Sequence, residues 1–146
     1  MQLTQKAAEG RVFELDADKV AIKVSATDTS GVYSLMRWTV APFASAPAHT
    51  HERYEETFYL LQGELEFVLG YEVVPMSAGD FVRVPPNIRH GYRNKTGNTV
   101  EMLVGFTPGG MEELFFKYRT DTQPFDAESY AREAREVHGT EYELGS

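Results

Sequence analysis

Three of the four histidines in this chain, His49, His51 and His90, stand where their type and spacing could do chemistry. His49 and His51 are two residues apart. In a strand, residues i and i+2 point to the same side, so these two imidazoles can aim into one cavity. Glu56 follows, where the chain enters the apolar run Thr57-Phe58-Tyr59-Leu60-Leu61. A short bend after His51 would return its carboxylate to the same spot. His90 comes much later, just beyond Pro85-Pro86-Asn87. Taken singly, each would be read as an ordinary surface or core residue. Taken together, three imidazoles and one carboxylate form a borderline-hard donor set suited to one divalent transition metal ion: Fe, Mn, Ni, Co, Cu or Zn. The chain has no cysteine, so a metal site here must be built from histidine and carboxylates. Glu55 competes with Glu56 for the ligand role, but strand alternation turns the two to opposite faces. His138 lies on a predicted helix and reads as a surface or packing residue.

The elements that must position these side chains are short. Val32 to Val40 reads as a strand with Val32, Ser34, Met36, Trp38 and Val40 on one face. Thr57–Leu61 is a second strand. Glu64–Leu69 alternates charged and apolar residues, the pattern of a strand wet on one side. Phe81–Val84 and Val100–Val104 follow the same logic, and Arg11–Leu15 and Lys19–Val24 carry weaker signals. Gln62-Gly63, Ala78-Gly79-Asp80 and Lys95-Thr96-Gly97-Asn98 are turns, and Pro85-Pro86-Asn87 is a rigid corner. Such spacing predicts an all-β sandwich or barrel. After Pro108 the pattern changes: Met111–Tyr118 and Asp126–Val137 are expected helices, the second capped by Asp126. The Phe115-Phe116 pair and Tyr118 are expected to pack that tail on the barrel more than to line a substrate mouth. Alternation leaves open whether Met36 and Trp38 face a pocket or the space between sheets.

Composition narrows the partners. The chain has 146 residues and a formal net charge of −8, from 22 acidic and 14 basic side chains. A surface of that sign repels a phosphate backbone, so no nucleic-acid partner is expected. No stretch approaches the roughly 18 apolar residues that cross a bilayer, so no membrane partner is expected either. The N-terminal MQLTQKAAEGRVF lacks an apolar core with a cleavage site, so no signal peptide is read and the expected compartment is cytoplasmic. The length suits a single domain over 1–146, with a barrel core at about 30–106 and a helical tail at about 107–146.

The motifs resemble those of the cupin superfamily. The first stands here as His49-x-His51-x4-Glu56-x6-Gly63, the second as Gly79-x5-Pro85-x-Asn87-x2-His90-x3-Asn94. Eight positions, His49, His51, Glu56, Gly63, Gly79, Pro85, His90 and Asn94, fall at the family's spacing. Phe43 stands where the family often has glycine ahead of the first histidine. Asn87 replaces another glycine. The resemblance implies a double-stranded β-helix, a jelly-roll barrel, with His49, His51, Glu56 and His90 as metal ligands and a pocket open at one end. The spacing to Gly63 favours Glu56 over Glu55.

A finer resemblance runs through Phe58–Phe67, Thr107–Phe116 and the tail from Ala131-Arg132-Glu133-Ala134 to Tyr142-Glu143-Leu144. It is to single-domain cupins grouped with quercetin 2,3-dioxygenases. It implies a metal-dependent dioxygenase acting on a small aromatic or polyphenolic, flavonol-like compound, with the metal as Lewis acid and Glu56 as catalytic base. The alternatives are a metal-dependent isomerase, cyclase or lyase on the same barrel, and a non-catalytic small-molecule-binding protein. A homodimer is expected, paired through an edge strand or the N-terminal residues up to about 24.

Overall fold

A computed structural model describes residues 2–143. Leu144, the end of the tail resemblance, lies outside them. Among the described residues, eleven strands form two antiparallel sheets. In chain order they are β1 (Arg11–Leu15), β2 (Asp18–Val24), β3 (Ser34–Val40), β4 (Ser45–His51), β5 (Glu55–Gln62), β6 (Glu64–Leu69), β7 (Glu72–Ser77), β8 (Phe81–Val84), β9 (His90–Arg93), β10 (Val100–Thr107) and β11 (Thr140–Tyr142). Helices α1 (Met111–Lys117) and α2 (Ala127–His138) stand between β10 and β11. One sheet has the order β1-β2-β3-β10-β5-β8 and the other β11-β4-β9-β6-β7. This is the expected jelly roll with two short helices, and its sheets take in strands on both sides of residues 30–106.

Alternation in the sequence becomes the inside and outside of the barrel. Ser34, Met36, Trp38 and Val40 of β3 are buried, as are Val100, Met102, Val104 and Phe106 of β10. Phe58 and Leu60 of β5 extend the same buried face beside β10, and Leu65 and Phe67 of β6 meet it from the other sheet. Val32 does not join this face. It is 61% exposed, because its amide closes a turn onto the Thr29 carbonyl and the strand begins only at Ser34.

Three motif positions are explained by what the backbone demands. Gly63 joins β5 to β6 at φ +91°, and a Cβ there would sit 2.9 Å from Val100 Cγ2. Only glycine meets both conditions. Asn94 is buried and ties two loops together: its amide nitrogen donates to the Ala41 and Asn98 carbonyls, and its oxygen accepts from the Thr96 amide and hydroxyl. Asn87 takes φ +68°, which asparagine tolerates better than most residues.

The tail does two things. Asp126 caps α2, accepting from the Ser129 amide. Gly139 ends α2, and β11 then pairs antiparallel with β4, setting Thr140 opposite His51 and Tyr142 opposite His49.

Candidate metal centre

His49 and His51 both lie on β4 with one residue between them, and both rings turn into the barrel. After a bend at residues 52–54, β5 brings Glu56 back, while Glu55 faces outward and pairs with Arg83 at 2.7 Å. His90 opens β9, directly opposite His49. The four sequence-predicted residues are all buried, and one donor atom from each lies within 4.8 Å of the others. His51 and His90 Nε2 stand 3.0 and 2.8 Å from Glu56 Oε1, and His49 Nε2 stands 3.9 Å away.

The outer side of each ring is also held. His49 Nδ1 is 2.8 Å from the Pro47 carbonyl and His90 Nδ1 is 2.8 Å from the Ile88 carbonyl. A carbonyl only accepts, so both rings carry their proton on Nδ1 and leave an Nε2 lone pair facing inward. His51 Nδ1 meets Thr140 Oγ1 at 2.8 Å, and that hydroxyl also reaches the His138 carbonyl, so it can accept from His51 while donating onward. Three inward lone pairs then surround a carboxylate oxygen. Acceptors facing acceptors at hydrogen-bonding distance need a cation between them, either a proton or a metal ion. The donor set therefore fits a divalent metal, with the outward bonds fixing ring orientation.

The electrostatics say the same. Burial works against charge on Glu56, but its histidine neighbours outweigh that and hold it well below the usual carboxylate range. Burial pushes His49 down to about 4, so it stays neutral and ready to ligate. Burial also opposes charge on His90, yet the contact with Glu56 raises it above its ordinary value.

His49, His51 and Glu56 line a cavity of about 310 Å3. Its walls are largely aromatic: Trp38, Phe58, Tyr92 and Phe106 come from the barrel, and Phe115, Phe125, Tyr130 and Tyr142 from the tail. Trp38 thus faces the cavity, which alternation alone left open. Phe115, expected mainly to pack, does both: it meets Trp38 edge-on at 5.1 Å and lines the cavity. Phe116 and Tyr118 pack as expected, Phe116 against Phe13 and Tyr118 against Tyr130.

Several residues at the centre carry no motif signal. Tyr142 stacks on His49 at 4.6 Å, and its hydroxyl meets that of Tyr130 at 2.8 Å. Thr140 orients His51. His138 is buried, and its Nδ1 is 2.8 Å from the Tyr54 hydroxyl, so it packs the tail and stands apart from the cluster. At the rim, Phe43 takes φ +62° and is 71% exposed. A bulky side chain in the left-handed region is strained.

Comparison with known proteins agrees with the geometry. A family model for the cupin domain matches residues 36–106. Over 78 residues, 53% of this chain, the sequence is 36% identical to the quercetin 2,3-dioxygenase of Bacillus subtilis (strain 168). The chain spans only 22% of that relative's length. Among solved structures, KdgF from a Halomonas species matches with a TM-score of 0.66 at 19% identity, covering 74% of this chain and 94% of that one. The nucleoside dehydratase Pac13 of Streptomyces matches with a TM-score of 0.62 at 23% identity, covering 77% of this chain and 88% of its own. With both motifs in place, their residues gathered at one point inside a jelly roll, and the family model matching the barrel, residues 36–106 form a cupin domain.

Proposed function

We propose that His49, His51, Glu56 and His90 hold one divalent transition metal ion, and that the protein is a metal-dependent dioxygenase-type enzyme acting on a small aromatic or polyphenolic compound. The observation that carries this reading is the meeting of two features: four buried donors within 4.8 Å, opening on an aromatic-walled cavity of about 310 Å3. That volume lies at the small end of ligand pockets. The flat walls suit a planar ring system, which aromatic side chains bind by stacking and edge contacts.

When bound, the ion would act as Lewis acid and template for the substrate. The chain's own residues supply the rest. Glu56 stays anionic in the barrel and lines the cavity, so it can take a proton from a substrate hydroxyl. The aromatic walls orient the ring and exclude water. The partial match to the Bacillus quercetin 2,3-dioxygenase supports the choice of substrate class. The test is metal analysis of purified protein, then oxygen-electrode assays on flavonols and catechols with each candidate metal. Oxygen uptake that depends on both metal and substrate is expected. None with any metal would overturn the reading.

One observation favours a second reading. An anionic base beside a metal serves an oxygen-independent elimination or isomerisation equally well, and a nucleoside dehydratase shares this barrel. Turnover under argon distinguishes that chemistry from a dioxygenase.

A further inference from the structure

The cavity wall holds a second carboxylate, away from the histidine cluster. Asp18 opens β2, just after the Asp16-Ala17 turn, and is only partly exposed. Its Oδ2 accepts from Trp38 Nε1 at 3.0 Å and from the Tyr92 hydroxyl at 3.4 Å, and its Oδ1 accepts from the Ala41 amide at 3.0 Å. These three donors come from different parts of the barrel and fix the carboxylate's orientation. They also leave it incomplete. A carboxylate has about four lone-pair positions, so Oδ1 keeps one to offer.

Trp38, Ala41 and Tyr92 are all neutral donors, so the groups that hold the carboxylate in place do not balance its charge. Among the described residues no cationic partner offsets the burial of Asp18, and burial raises its pKa despite the three donors. An ionised group kept in a largely apolar wall without a counter-ion is unfavourable for stability. The aromatic residues Trp38 and Tyr92 line the cavity beside it. What this arrangement lacks is a donor arriving from the cavity.

We propose that Asp18 is a specificity-determining residue: its carboxylate accepts a hydrogen bond from a hydroxyl group on the ligand, so the cavity selects hydroxylated aromatic compounds over their O-methylated counterparts. This deepens the proposed function, since it rests on the cavity being the substrate site. It adds that the preferred compound carries a hydroxyl besides any group directed at the metal cluster.

The test uses the metal-loaded full chain and a probe pair that differs only in one O–H donor, 2-naphthol and 2-methoxynaphthalene. Affinities are measured by calorimetry for wild type and Asp18→Asn. The ratio of the two affinities cancels general effects on the pocket. A hydrogen bond to a charged acceptor is worth about a tenfold preference or more. That preference is expected in wild type and should fall toward unity in Asp18→Asn, with 2-methoxynaphthalene affinity unchanged. An unchanged ratio would overturn the proposal, as would equal weakening of both probes or a wild type that binds neither. If Asp18→Asn fails to fold, Asp18→Ser is used, which still offers the Ala41 amide an acceptor. Failure of both to fold would make Asp18 structural and end the proposal. Oxygen uptake on flavonols is measured separately. Selectivity that depends on Asp18 without uptake retires the dioxygenase reading alone. Uptake without such selectivity retires this proposal alone.

Discussion

Glu55 and Glu56 are neighbours with opposite fates, and the difference is a single step of strand alternation. Glu56 is buried among three imidazoles, whereas Glu55 meets Arg83 at the surface. Glu56→Gln keeps the shape and removes the charge and the proton-accepting power. It should lower turnover by about 100- to 10,000-fold, the range of a general base. Glu55→Gln loses only an exposed ion pair, worth about 1 kcal/mol or less, and should keep wild-type rates in the same assay. A damaging Glu55→Gln beside a mild Glu56→Gln would show that the strand register is off by one. Phe43 offers a different test. Its left-handed backbone costs a non-glycine residue about 1 kcal/mol or more, and its exposed ring returns little packing. Phe43→Gly should raise the melting temperature by about 3 °C, with weaker binding of aromatic ligands at the rim. A lower melting temperature would mean that the ring's contacts outweigh the strain.

At the scale of elements, β11 has the largest effect for its size. Its three residues put Thr140 against His51 and Tyr142 against His49. Thr140→Val keeps the shape and removes the acceptor of the His51 Nδ1 proton. Loss of such an outer partner typically lowers metal affinity by about 10- to 100-fold, and metal titration should show that with the fold intact by circular dichroism. Unchanged affinity would reduce β11 to packing. Much of the site was legible without coordinates. The i, i+2 histidines, the glutamate after a bend and the histidine after a proline corner all come together as their spacing implies. Most barrel strands were legible too, because one wet face makes alternation visible. The unread elements have separate physical causes. Thr140–Tyr142 is too short for any period to show, and its strand character comes from pairing with β4. Glu72–Ser77 contains Pro75, which argues against a strand except at a sheet edge, and β7 is the edge of its sheet. Asp18 looks like any acid beside a turn until Trp38, Ala41 and Tyr92 converge on it. Phe115 was read as packing more than as lining a mouth, and a ring large enough to pack also reaches the cavity.

At the scale of the molecule, the buried cluster couples stability to pH. In the metal-free protein His49 titrates at about 4, against an ordinary value of 6.5. Below 6.5 the unfolded chain takes up this proton while the folded chain refuses it, so stability falls as pH drops toward 4. Glu56 is depressed, so its contribution is present above its ordinary value of 4.5 and is lost as pH falls through its lower folded value. His90 is raised, so its contribution is fully present below 6.5 and fades only as pH rises through its folded value. The metal-free protein should therefore lose about 2 kcal/mol between pH 6.5 and pH 5, from His49 at about 1.4 kcal/mol per unit. Denaturant melts at the two pH values check this, and equal midpoints would contradict it. The outermost strand β1 has one unpaired edge in its sheet, and a second copy covering it is expected to give a particle of twice 16.5 kDa by light scattering. A mass of 16.5 kDa at working concentration would count against that. The reach of β11 back to β4 also sets an order in time. His51 is 5 residues from Glu56, His90 is 34 from Glu56, and Thr140 is 89 from His51. Closing longer loops carries a larger entropic cost, so the bend is expected to form first, β9 to join next and the tail to dock last. On the proposed metal site, an ion present during refolding would then meet residues 49–90 early and loosely, and bind tightly only as Thr140 locks the ring of His51.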